Sequence, residues 1–186
     1  MSKIKLISGV FLIVSVIIGF IVTIKLMLAD DLTQIEEQVN SLNQGPYILH
    51  TEFIENDHAI VFYQWGTILH HRKLAFMELE KTQFTWEFKS AHATHISRED
   101  RLEAQLTELG DKSVLRGRVD NADIEDITIL STSGHTYSGT LIEDDNGRKY
   151  WFFIGEDDDF TEATITGLSK SGEVIEEITA VKSIYR

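Results

Sequence analysis

The chain has no cysteine, a single proline (Pro46), and no charged residue between Lys5 and Lys25. Without cysteine there is no disulfide frame, no thiolate chemistry and no thiol to carry a lipid, so a packed core must hold the fold. The hydrophobic fraction of 42%, with 10% aromatic, is enough to build that core and excludes wholesale disorder. A Gly-rich phosphate loop, a dinucleotide fingerprint and a His-Glu-x-x-His helix are all missing.

The uncharged stretch from Leu6 to Ile24 is nineteen residues of mostly Ile, Val, Leu and Phe. At about 1.5 Å per residue a helix of this length spans roughly 28 Å, close to the hydrocarbon thickness of a bilayer. It has no polar face, as a helix lying on a soluble core would. The sequence therefore predicts a transmembrane helix, making the lipid bilayer the first partner. Lys3 and Lys5 precede the run and acids follow from Asp30, which places the N-terminus inside and the remainder extracytoplasmic. A cleaved signal peptide is the rival reading. Its apolar region is normally shorter, and Met27-Leu28-Ala29 is a poor cleavage site because Met27 is bulky.

Charge is divided sharply. Of 17 basic residues, Lys3, Lys5 and Lys25 flank the run; the other 14 face 30 acids, a balance of −16 for the rest of the chain. Such a domain repels nucleic acid and anionic lipid alike. Nucleic acid is thus excluded as a partner.

The division expected is an anchor over 1–28, a helical stalk over 29–46, and an acidic β-rich domain over 47–186, itself possibly built of units at 47–96 and 113–186. In the stalk, Leu32, Ile35, Val39 and Leu42 recur at helical spacing, and Gly45-Pro46 ends the pattern. That stripe would pack on its own domain or pair with a second copy. From Tyr47 the period shortens to two. Strands are predicted over 47–54 and 59–65 around an Asn56-Asp57 turn, and over 73–80 and 83–89, where Phe84, Trp86 and Phe88 share a face. Further strands are predicted over 114–119, 124–130, 136–143, 149–154, 163–168 and 174–184. Asn146-Gly147 and Ser169–Gly172 mark two hairpins. One short helix is expected over 97–110: Ser97 with Asp100 forms a capping pair, Leu102, Leu106 and Leu109 a face, and Gly110 a C-cap. The fold class expected is an all-β, antiparallel, sandwich-like extracytoplasmic domain behind an N-terminal transmembrane helix.

The series Ala59-Ile60-Val61-Phe62-Tyr63, Trp86, Leu115-Arg116-Gly117, Tyr150-Trp151-Phe152-Phe153, Gly167 and Ser171-Gly172-Glu173-Val174-Ile175 resembles small single-span membrane-anchored surface proteins of Bacillus-like Gram-positive bacteria. It departs from them at Trp86, where Phe84 and Phe88 stand in place of a tryptophan-rich pair. The resemblance implies a Gram-positive cell-surface setting. It brings no catalytic residue, since its motifs are aromatic strands and glycine turns.

Seven histidines are the first candidates for chemistry. His70-His71 and His92-x-x-His95 could offer imidazoles to zinc or copper, and near acids they could form a pH-sensitive patch. Adjacent residues in a strand face opposite ways, so His70 and His71 cannot easily serve one ion. The acidic runs Glu143–Asn146 and Glu156–Asp159 lack the calcium-loop register, because the loop start implied by Gly147 falls on Ile142; they read as solvated hairpin tips. Gly134–Gly139 has the composition of a nucleophile elbow but not its Gly-x-Ser-x-Gly register. The tryptophans and neighbouring phenylalanines could line a glycan-binding face, but their period-two placement makes most of them core, with one or two rings of the run Tyr150–Phe153 left exposed or covering an edge. No cofactor is implied. The function expected is a tethered interaction or sensing module without catalysis, meeting a protein partner at the cell surface. The alternatives are a weak ligand or metal binder using the histidines, and a hydrolase acting on the cell wall.

Overall fold

The computed structural model describes residues 31–42, 47–65, 73–83, 85–93 and 101–182. The apolar run Leu6–Ile24 lies outside them, as do Gly45, Pro46 and Phe84. Among the described residues no helix is long and apolar enough to cross a membrane.

The described chain is mostly β, with one helix, α1 (Asp31–Asn40), before twelve strands. In α1, Ile35 and Val39 are fully buried, four positions apart on one face. They lie on the first sheet, formed by β1 (Tyr47–Glu55), β2 (His58–Trp65), β3 (Lys73–Lys81) and β4 (Trp86–Ala93) in that order, all antiparallel. The stalk stripe therefore packs on its own domain. Asp31, at the favourable N-terminal end of the helix, is held by Lys81 Nζ at 2.7 Å.

Strand β2 explains its own composition. Ala59, Val61 and Tyr63 face α1 and Trp86, whereas Ile60 and Phe62 face the opposite way with Phe76. A strand covered on both faces is apolar throughout, which is why Ala59–Tyr63 does not alternate. Strand β4 begins three residues later than the sequence pattern predicts and carries a bulge: Glu78 pairs with Ser90 but Leu79 pairs with Phe88, leaving Lys89 as the extra residue. Phe88 stays on the Trp86 face, yet it is half exposed because β4 is an edge strand.

The second sheet holds β5 (Gln105–Leu109), β6 (Lys112–Val119), β7 (Asp126–Leu130), β8 (Thr136–Glu143), β9 (Lys149–Glu156), β10 (Thr164–Leu168), β11 (Val174–Thr179) and β12 (Val181–Lys182). Their spatial order is β11-β10-β7-β8-β9-β6-β5-β12. The two strands at the ends of that order are consecutive in the chain, separated only by Ala180. The Ala180 amide donates to Ala163 beside β10, and the Val181 amide donates to Ala104 beside β5. The sheet therefore closes on itself as a barrel, with β12 and β5 as its one parallel pair. The expected sandwich is realised only in part: two sheets do meet face to face across Phe62 and Phe152, but the larger one is closed. Its interior is filled by Leu102, Ala104, Leu106, Leu115, Ile127, Trp151, Phe160 and Ile165, among others. A barrel of this size is a core, not a channel.

The helix expected over 97–110 is corrected. Residues 97–100 lie outside the described set, Leu102 bridges Val119, and 105–109 is strand β5. Leu102 and Leu106 are four apart, a spacing common to a helical face and a strand face. Ala104 between them also points into the barrel, which only the strand allows. Gly110, at φ +61°, serves the β5–β6 hairpin instead of a helix cap.

Candidate functional site

Two polar constellations stand out, one between the sheets and one at a barrel end. The first is built on the even-numbered residues of β2 and β3 and their partners, which face the barrel. His58 Nε2 lies 3.0 Å from Glu78 Oε1; Ser90 donates to the other Glu78 oxygen at 2.8 Å; His92 Nε2 lies 3.0 Å from Ser90 Oγ. This relay crosses β2, β3 and β4. His92 also stacks on Phe76, ring centroids 4.9 Å apart, and the Arg116 guanidinium sits 4.6 Å from the centroid of the same ring. Arg116 is fully buried on β6 and donates to Thr107 Oγ1 at 2.8 Å. Burial pushes the His92 imidazole below its ordinary value, Arg116 adds to that, and Glu78 opposes it. On β1, His50 pairs with Glu52 at 2.8 Å and its ring lies 5.0 Å from that of Phe152.

The seam has a second anchor. Gln64 on β2 donates to Asp144 at 2.6 Å and to the Tyr150 hydroxyl at 3.0 Å. Burial raises the Asp144 carboxyl, but hydrogen bonds from the Arg148 amide, Gln64 and the Asn146 amide outweigh it and leave the group below its usual range. Asp144 is thus a buried bracket between sheets, not the solvated hairpin tip expected of an acidic run.

The second constellation joins the β7–β8 hairpin to the β9–β10 loop. Asp158, its side chain 5% exposed, accepts from Ser133 Oγ, from the Tyr137 hydroxyl at 2.7 Å and from the Asp159 amide at 2.7 Å; His135 Nδ1 lies 3.1 Å away. The bonds from Ser133 and then Tyr137 hold this carboxyl far below the usual range, despite desolvation. The same contact with Asp158 raises the Tyr137 phenol. Serine, histidine and aspartate are all present, but not as a nucleophilic triad. There the imidazole stands between hydroxyl and carboxylate; here the Ser133 hydroxyl donates straight to the carboxylate, and both meet His135 at Nδ1. The arrangement is a latch between loops. Asp157, beside it, is a non-glycine residue in the left-handed region at φ 60°.

Of the histidines proposed as ligands, His92 lies in the inter-sheet seam, whereas His70, His71 and His95 fall outside the described residues. Among the described residues no group of three His, Cys, Asp or Glu side chains is arranged to hold a metal ion. Sequence reasoning singled out none of Arg116, Asp144 and Asp158 as a functional residue. The side chains that define their settings, Gln64 for Asp144, Ser133 and Tyr137 for Asp158 and the Phe76 ring for Arg116, lie 21 to 80 positions away, so spacing carries no sign of them. Most of the aromatics are core: Trp86, Trp151 and Phe62 are fully buried and Phe152 nearly so, whereas Trp65 and Phe153 are half-buried.

Comparison with known proteins finds no matching family model, no similar curated protein and no similar solved structure.

Proposed function

We propose that this chain is a single-pass, membrane-tethered module that presents its acidic β domain outside the cytoplasm for interaction or sensing, without catalysis. The observation that carries the reading is the uncharged run Leu6–Ile24 ending seven positions before a helix seated on the β domain. Such a connection holds the domain close to its anchor instead of on a long flexible leash. The filled barrel supports a role played at the surface, and the cluster of Ser133, His135 and Asp158 has its hydroxyl engaged by the carboxylate. The strong negative balance favours a protein partner over nucleic acid or wall polyanion. The Gram-positive setting rests on the resemblance alone.

The test is protease added to intact cells that express the full chain with a C-terminal tag. Digestion of the tag with the anchor left in the membrane fraction is the expected result. A tag sheltered until the cells are lysed, or a chain found free in the cytosol, overturns the reading.

A further inference from the structure

Leu32, Phe53 and Phe88 are three of the seven large hydrophobic residues exposed among the described residues, at 55%, 44% and 50%, and they gather at one end of the first sheet. Phe53, Ala59, Leu79 and Phe88 stand opposite one another in a single row across all four strands. Helix α1 covers the middle of that face, leaving the two phenylalanines at the edges. Trp86 lies beneath, its ring 5.8 Å from that of Phe53, and its amide donates to Gln34 of α1 at 3.2 Å. Lys81 joins the same group, paired with Asp31 and placed 5.6 Å over the Trp86 ring. The apolar rim thus surrounds the first turn of α1, the end at which the chain arrives from the apolar run.

We infer that this rim, Leu32 with Phe53 and Phe88, rests in the interfacial layer of the bilayer and docks the domain against the membrane; the inference stands on the tethered reading above. Two arguments select lipid as the occupant. The first is reach: seven residue steps from Ile24 to Asp31 cover at most about 25 Å, so the start of α1 cannot lie far from the hydrocarbon edge. The second is charge. Asp31, the acid in the first turn of α1 beside the Trp86 ring, is neutralised in place by Lys81. Burial of phenylalanine and leucine in the headgroup region is favourable on its own, and an acidic domain gains nothing from anionic lipid. Docking is therefore expected on zwitterionic bilayers and weaker on anionic ones.

The chain lacks cysteine, so a nitroxide can be placed at one site at a time in the full chain, in phosphatidylcholine vesicles. Asp57→Cys reports on the β1–β2 turn beside the rim, and Lys170→Cys reports on the barrel turn between β10 and β11. The label at 57 is expected to collide several-fold less often with a water-soluble nickel chelate than the label at 170. Adding Phe53→Ser and Phe88→Ser should bring the two values together while the chain still resists an alkaline carbonate wash. Equal accessibility of the two labels in washed, membrane-retained protein overturns the docking and leaves the tether standing. A shielded label at 57 whose dipolar coupling to another chain fades on dilution into lipid assigns the rim to a second copy, which also overturns it. A chain that washes off removes the tether, and the docking falls with it.

Discussion

The indole Nε1 of Trp151 donates to the carbonyl of Glu103 at 2.8 Å, and Gly117 lies directly against that bond. Trp151 sits on β9 and is fully buried in the barrel, whereas Glu103 precedes β5; the bond ties the strand that completes closure to the barrel's largest interior side chain. A Cβ placed on Gly117 would come within 1.7 Å of the Glu103 oxygen and 2.6 Å of the indole nitrogen. Only glycine leaves room.

Gly117→Ala is therefore expected to cost about 3 kcal/mol or more, because backbone must move to admit the methyl group. Gly139→Ala, whose Cβ would meet the Ile127 side chain at 3.0 Å, should cost nearer about 1 kcal/mol. Urea midpoints of the two variants measure the difference, and equal losses would show that the Glu103 carbonyl is not the obstacle.

Phe62 and Phe152 stack across the two sheets with centroids 4.2 Å apart. Phe62→Ala and Phe152→Ala should each cost about 3–5 kcal/mol, as buried phenylalanines do. The double variant is expected to lose about 1 kcal/mol less than the sum, the coupling of an aromatic pair. Strict additivity in a denaturation cycle would mean that the sheets are held together elsewhere.

His92 is held below its ordinary titration range by burial and by Arg116, against the pull of Glu78. The unfolded chain then takes up a proton before the folded one does, so stability is full above about pH 6.5 and falls as the pH drops below that value. His92→Gln should flatten this part of the pH profile. Thermal melts across pH 5–8 read it directly, and an unchanged slope in the variant would assign the effect to another histidine.

Asp158 has the opposite chemistry and the same direction of loss. Its carboxyl is depressed, so its contribution is present above about pH 4 and disappears as the pH falls through the folded value. Asp158→Asn keeps the shape but removes the charged acceptor. Amides of the β7–β8 hairpin around Ser133 and His135, and of the loop at Thr161, should exchange with deuterium faster, while β6 and β9 stay protected. Unchanged exchange at Ser133 and His135 would show that the latch does not hold the loops.

Much of the local structure is legible in the residues themselves. The flanking turns bound the strand Thr136–Glu143 in sequence as in structure, and Asn146-Gly147 gives its hairpin through the positive φ of Gly147. Ile35 and Val39 announce a helix with one buried face. Where the reading failed, the cause is specific. Leu102 and Leu106 satisfy two periods at once, and only pairing with Val119 and with β6 decides between them. Lys89 carries a bulge that no residue type requires.

The candidate sites were less legible than the fold. The spacing of His92 to His95 makes it a candidate ligand, but what surrounds it is an arginine and a phenylalanine from other strands. Asp144 and Asp158 sit among acids in sequence and read as solvent-facing, although the side chains that engage them, Gln64 for the one and Ser133 and Tyr137 for the other, come from distant strands and turns.

By itself the sequence determined the local periods, the turns, the charge balance and the apolar run, because each depends on neighbours a few positions apart. Only the tertiary structure decided that the larger sheet closes through Ala180, that Arg116 lies between the sheets, and that Asp158 latches two loops. Those outcomes depend on which distant strands meet, and closure is chosen by the packing of Trp151, Phe160 and Leu102 in one interior, not by any strand's own preference.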